Sequence, residues 1–252
     1  MKAIIVAAGM GRRLAPYTDD RPKTLVEING KSILRHQIDA YQSEGVDQLC
    51  IVRGYLSDKI VVPGARYFEN TNYRTNNILA SLMCAAEAMA EPGGFLFSYS
   101  DIVFRPEVVR ALVRSEGDYA LVIDRKWDEA YVGRTEHPES EAELASVWGG
   151  RVLAVGKRKV TRAEAHGEFI GLAKFSERAA HRMLAAYRAL EKTLGPDAPF
   201  GTAKRFEAAY VTDLLNHLID AGEVMTSVDI EGGWREIDTT QDLERAKAIV
   251  TW

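Results

Sequence analysis

The stretch KAIIVAA, residues 2–8, is apolar after its first residue without alternation and stops at Gly9. A strand that is polar on neither face is buried on both, which is the situation of a parallel sheet. Parallel neighbours cannot be joined by a tight turn, so the chain must return through crossovers, usually helical. The rest of the sequence follows that rule. QLCIVRG (48–54), ARYFEN (65–70), GFLFSYS (94–100) and YALVID (119–124) read as further strands, with a helix over ILRHQIDAYQSEG (33–45) capped by Ser32, one over about 77–89, and one from Pro106. Beyond 124 the alternation loosens. ELASVWGGRVLAVGK predicts a hairpin turning on Gly149-Gly150, GEFIGLAKFS a strand, and amphipathic patterns predict helices over about 177–193 and 204–221 and a closing helix after WREIDTT.

At 252 residues, 46% hydrophobic and 27% charged, the chain can bury the core of one large α/β domain, expected to span 1–252. Its 32 basic and 36 acidic residues leave a net charge of −4, which gives no general footprint for nucleic acid or an anionic membrane. Any anion must be met locally. Cys50 and Cys84 lie in apolar surroundings at no metal or redox spacing and read as reduced core residues of a cytoplasmic protein. The apolar start is too short for a signal peptide, and no window approaches a membrane span. A homodimer is left open.

The loop leaving the first strand, GMGRRLAPYTDDRPK (9–23), combines glycines with concentrated positive charge at the carboxyl end of a strand, where ligands of open parallel sheets gather. Gly9 and Gly11 would let the backbone approach phosphate oxygens, while Arg13 and Lys23 add charge. Three other readings compete. A dinucleotide loop needs glycine where Leu14 stands, a Walker loop needs Ser or Thr after its lysine whereas Lys157 precedes Arg158, and a lone G-x-G is commonly a tight turn with solvated arginines.

The full string Gly9-x-Gly11-x-Arg13-Leu14-x-Pro16-x-Thr18-x-x-x-Pro22-Lys23 resembles the signature of the nucleoside-diphosphate-sugar pyrophosphorylase superfamily of nucleotidyltransferases. NTNYRTNNILASL, SYSDIVF, GEFIGLAKFS and WREIDTTQDLERA resemble blocks of its branch of phosphocholine and phosphonate (2-aminoethylphosphonate) cytidylyltransferases. The resemblance thins over 127–157 and 177–205. It implies a Rossmann-like, mostly parallel sheet flanked by helices, of the nucleotide-diphospho-sugar transferase type. About 1–125 would bind nucleotide, and about 126–252 the acceptor. The implied reaction is transfer of CMP from CTP to a phosphate or phosphonate monoester, with release of pyrophosphate.

Joining two anions requires cancelled charge, so a divalent metal held by carboxylates is expected. Asp101 and Asp238 each end a short strand at the edge where the glycine loop lies, and such a pair can hold one Mg²⁺; each could instead cap the turn or helix that follows. The resemblance places Lys23 at the reacting centre and Arg13 on the β,γ end of the triphosphate. For nucleotide binding the expected residues are Ala7, Ala8, Gly9, Gly11, Arg12, Arg13, Lys23, Tyr55, Asn77, Ser81 and Ser100, without settling CTP against UTP. A positively charged acceptor nitrogen calls for aromatic faces and a carboxylate. Glu168 is the first candidate, with Tyr131, Trp127, Phe169, Asp213 and Lys157 beside it. The segment VGRTEHPESEAEL (132–144) reads either as a lid bringing Arg134 or His137 to the acceptor phosphate or as a solvated acidic loop. The alternatives are a sugar-1-phosphate nucleotidyltransferase and an inactive nucleotide-binding regulatory module.

Overall fold

In the computed structural model, which describes residues 1–252, the opening apolar run is β1 (Lys2–Ala7), buried at every residue. A ribbon of β2 (Glu27–Ile28) and β3 (Lys31–Ser32) leads into α1 (Ile33–Ser43), where the Ser32 hydroxyl accepts from the Arg35 amide. Then come β4 (Gln48–Arg53), β5 (Arg66–Glu69), α2 (Ile78–Met83), α3 (Ala86–Ala90), β6 (Phe95–Tyr99), β7 (Ile102–Phe104) and α4 (Pro106–Arg114). The second half contains β8 (Tyr119–Asp124), α5 (Trp127–Tyr131), β9 (Leu144–Trp148), β10 (Arg151–Val155), β11 (Gly167–Phe175) and α6 (Glu177–Leu194). It closes with α7 (Val211–Asp220), β12 (Met225–Ile230), β13 (Trp234–Glu236) and α8 (Thr240–Ile249). No helix is long and apolar enough to cross a membrane.

Nine strands form one sheet in the order β5-β4-β1-β6-β11-β8-β12-β10-β9. Pairing is parallel among β5, β4, β1 and β6 and between β8 and β12. It is antiparallel where β11 enters between β6 and β8 and in the β9–β10 hairpin. The chain builds outward from β1 through β4 and β5, then returns to place β6 on the other side of β1. The loops after β1 and β6 therefore part around a crevice, the switch point at which open sheets bind ligands. Both faces of the sheet are covered. Ile4 and Val6 point into a core shared with α2, α3, α6 and α7, and Ala3, Ile5 and Ala7 into one shared with α1 and α4.

Two helices differ from the sequence expectation. The segment 77–89 is split at Cys84–Ala85, where tight turns from Ser81 and Leu82 redirect the chain and bury Leu82, Ala85, Ala88 and Met89 together. The helix expected from 204 begins at Val211. Phe206 and Ala209 continue its apolar periodicity inside an irregular segment, and Tyr210 starts the helix with Asp213 completing the cap.

Strand β11 slips register against β8 between Phe169 and Ala173. Gly171 sits in that bulge at φ +78, where a Cβ would come within 2.3 Å of the Tyr99 ring. Gly171→Ala should therefore combine left-handed backbone strain with overpacking and lose about 2–4 kcal/mol in a denaturant titration. Gly64→Ala, at the same φ with open space around it, should lose only about 1 kcal/mol.

Candidate active site

The loop after β1 is held from below. Leu14, at the position where a dinucleotide loop would need glycine, is fully buried against Ile28, Ile33, Val103, Ile237 and Leu243. The Thr18 hydroxyl donates to the Gly11 carbonyl at 3.0 Å, and the Tyr55 hydroxyl donates to the Thr18 carbonyl at 3.1 Å. Gly11 takes φ +59 and starts the turn Arg12–Leu14; a Cβ there would lie 2.7 Å from that of Lys23. Gly9 is different. Nothing lies within 4 Å of where its Cβ would be, so no neighbour in the protein demands glycine there, and the free space faces the crevice.

Lys23 points into the same crevice with its side chain 10% exposed. Its ammonium donates to Asp101 Oδ2 at 2.8 Å and to Asp238 Oδ1 at 2.5 Å. Burial works against the lysine's charge, but Asp101 and Asp238 outweigh it, and its pKa is raised above the ordinary value. Asp238 is held well below the carboxylate range; burial opposes this, and the Lys23 charge, His137 and Arg13 prevail. Arg13 donates to Asp238 Oδ2, and His137 Nδ1 lies 3.0 Å from the same oxygen.

Two aspartates far apart in sequence meet because β13 pairs antiparallel with β7, matching Glu236 to Ile102, and the Ile237 amide donates to the Asp101 carbonyl at 2.8 Å. The bend carrying Asp101 has its own support. Gln37, fully buried on α1, donates its amide to the carbonyls of Tyr99 at 2.7 Å and Ile102 at 2.6 Å, the two acceptors that flank the break between β6 and β7. Asp238 is fixed through α8: Asp242 Oδ2 accepts from the amides of Asp238 and Thr239.

These groups line a cavity of about 400 Å³. One end carries Ala7, Ala8, Gly9, Gly11, Arg12, Arg13 and Lys23, with Asn77, Ser81 and Ser100 on the wall. The other end is acidic, with Glu141, Glu143 and Glu168 beside Lys157, Phe169 and Tyr210, while Glu236 adjoins Asp238. Glu143 and Glu168 are buried. Burial pushes Glu143 up to about 7 and Glu168 up to about 8.

Several expected site residues have other tasks. Asn77 caps α2, accepting from the Ile78 amide at 2.8 Å and donating to the Ala208 carbonyl at 3.1 Å. The Ser81 hydroxyl donates to the Asn77 carbonyl and accepts from Asn70. Four expected residues lie outside the cavity wall. Tyr55 braces the glycine loop; Trp127 packs with Tyr131, Ala142, Leu144 and Val160. The Asp213 carboxylate is consumed by the amides of Thr202 and Tyr210 and by the Thr202 hydroxyl. Tyr131 is also behind the wall, and donates its hydroxyl to Glu168 Oε1 at 2.7 Å.

The segment 132–144 exposes Val132, Thr135 and Glu136 to solvent but is pinned to the body of the protein. Arg134, its side chain 5% exposed, bridges Asp242 at 2.6 Å and Glu236 at 2.8 Å, and the Thr135 amide donates to Gln241. Arg134 is thus unavailable to an acceptor phosphate. Glu143, Glu236, Tyr99 and Gln37 were missed from the sequence. For Glu236 a signal existed: strand periodicity puts Trp234, Glu236 and Asp238 on one face, and all three line the cavity.

A switch-point crevice that presents a glycine loop and an ammonium clamped by two aspartates is the arrangement of a nucleotidyltransferase. The MobA-like NTP transferase domain matches residues 3–194, and the chain belongs to that family. The CTP:phosphoglutamine cytidylyltransferase of Campylobacter jejuni is 33% identical over 253 residues, 97% of this chain and 98% of its own. A 2-aminoethylphosphonate cytidylyltransferase of Lancefieldella rimae is 34% identical over 110 residues, 42% of this chain and 44% of its own. The solved CTP:phosphocholine cytidylyltransferase of Streptococcus pneumoniae shares the fold, with a TM-score of 0.71 at 22% identity and 99% of each chain covered. The chain is accordingly an enzyme of the nucleotidyltransferase class with the mixed α/β fold of the nucleotide-diphospho-sugar transferases.

The buried acids set a pH dependence. Their raised pKa means the folded protein binds more protons than the unfolded chain, so the stability they permit is full below the ordinary carboxylate range and is lost as pH rises through about 7 to 8. The unliganded protein should lose roughly 5 °C in Tm between pH 6 and 8.5 by calorimetry, and Glu168→Gln should recover part of that loss at the upper pH.

Proposed function

We propose that the protein transfers CMP from CTP to a small phosphate or phosphonate monoester and releases pyrophosphate. The observation that carries this reading is the Lys23 ammonium shared by Asp101 and Asp238 at the base of the switch-point cavity. In the proposed reaction an acceptor oxygen attacks the α-phosphorus as its bond to the bridging oxygen breaks, and pyrophosphate leaves with the electron pair. The backbone at Gly9 and Gly11 would take the triphosphate, with Arg12 and Arg13 over its β,γ end. Lys23, kept protonated by its two carboxylates, would donate to phosphate oxygens at the reacting centre and is not a base.

The donor set fits a divalent cation. Two carboxylates converge on one positive charge, Asp101 Oδ1 is buried without a partner, and Glu236 and His137 place ligand atoms within 4.8 Å of Asp238. Asp101 and Asp238 would hold Mg²⁺, which when bound supplies the charge neutralisation that two approaching anions require. Asn77, Ser81, Ser100 and the small Ala7 and Ala8 would border the base and ribose. Glu168, Phe169 and Lys157 would border the acceptor. Support for CTP and for such acceptors comes from the relatives, two of which are named for CTP with phosphoglutamine or phosphocholine and one as a 2-aminoethylphosphonate cytidylyltransferase.

The test is a pyrophosphate-release screen of the four triphosphates against phosphocholine, phosphoethanolamine, 2-aminoethylphosphonate, phosphoglutamine and sugar 1-phosphates, with Mg²⁺. Release with CTP and a nitrogen-bearing ester is expected. Turnover of glucose 1-phosphate alone would assign the site to sugar-1-phosphate transfer, and no release with CTP would refute the proposal. Asp101→Asn should lower kcat by at least about 100-fold. It should remain folded by circular dichroism, because Asp238 still balances Lys23.

A further inference from the structure

The acidic end of the cavity holds an unmet requirement. Glu168 is 5% exposed and lies in β11 opposite Asp124. Its Oε1 accepts from the Tyr131 hydroxyl, while its Oε2 is buried and has no partner. Tyr131 is packed edge-on against Trp127 at 5.7 Å, which holds the hydroxyl that Glu168 accepts from. A buried carboxylate oxygen without a donor is costly unless something else supplies one.

The donors around it have other partners. The Tyr99 hydroxyl is given to Glu143 Oε2 at 2.9 Å, Lys157 donates to Glu141 at 3.1 Å, and Arg134 is divided between Asp242 and Glu236. Carboxyls outnumber cations on this wall. The aromatic faces are also partly taken, since Lys157 already stands 5.5 Å from the centre of the Tyr210 ring.

We infer that Glu168 Oε2 is an acceptor subsite for a primary ammonium, and that it selects substrates carrying NH₃⁺ over those carrying a quaternary nitrogen. A trimethylammonium group has the charge but no N–H to give Oε2. An ammonium supplies both the missing donor and the missing positive charge. Burial and the neighbouring Glu236 raise the Glu168 pKa, against the Tyr131 hydroxyl and Arg134. The inference rests on the reading of this cavity as a transferase site and sharpens which acceptors it takes.

Titration calorimetry of the intact protein with 2-aminoethylphosphonate, its N,N,N-trimethyl analogue and propylphosphonate tests it, with and without a non-hydrolysable CTP analogue. The primary ammonium ligand is expected to bind about 10-fold or more tighter than either of the others. Glu168→Gln should abolish that preference by weakening the ammonium ligand alone, and Tyr131→Phe, which frees the carboxyl, should weaken it by a smaller factor. Equal or tighter binding of the trimethyl analogue, binding of none of the three, or a preference that persists in Glu168→Gln would overturn the inference. The comparison on the unaltered protein stands even if a variant does not fold. Absence of binding by the CTP analogue would count against the cytidylyl reading and not against the ammonium preference, which is read without nucleotide.

Discussion

A lysine removed from water cannot keep its charge alone, and Lys23 keeps it because Asp101 and Asp238 both reach it, from distant parts of the chain. This three-membered contact explains the surrounding construction. Gln37 binds both carbonyls beside the Asp101 bend, Asp242 binds the backbone at Asp238, and Leu14 nails the glycine loop to the small core under α8. Each support removes a freedom that would let one charge drift from the others. Buried ion pairs add little stability by themselves. Here their value lies in placing two carboxylates and an ammonium around one point beside the only loop in the chain with glycines at 9 and 11.

The two ends of the cavity solve opposite electrostatic problems. Around Gly9 to Arg13 the protein offers backbone amides and arginines, an environment that receives negative charge. Around Glu143 and Glu168 it offers buried acids that receive positive charge or go protonated. A cavity so divided suits a molecule that is anionic where it meets Lys23 and cationic or donor-rich beyond. The overall net charge of −4 conveys none of this, because the separation exists only inside the cavity.

Much of the fold could be read directly because burial on two faces leaves an unbroken apolar run, as in β1 and β8, and caps such as Ser32 have a plain local signature. The glycine loop, Lys23, Asp101 and Asp238 were legible for a similar reason: each belongs to a short contiguous string or ends a strand. Other members were not. Glu143 and Arg134 come from an irregular segment with no period, and their partners are more than 40 residues away. Gln37 looks like any polar residue of an amphipathic helix until the β6–β7 break above it is known. Asp213, Trp127 and Tyr55 mislead in the reverse sense, since an acid or an aromatic ring next to a site has the same one-dimensional appearance whether it lines the cavity or builds the wall behind it.

The pairing of β7 with β13 has a consequence for how the enzyme comes into being. The glycine loop, Lys23 and Asp101 leave the ribosome well before Asp238, which follows β13. A nascent polypeptide folding from its amino end therefore carries an ammonium with half of its counter-charge, and the centre is completed only when the late-synthesised strand docks. Biosynthetic order itself thus withholds the complete centre until residue 238 has been made.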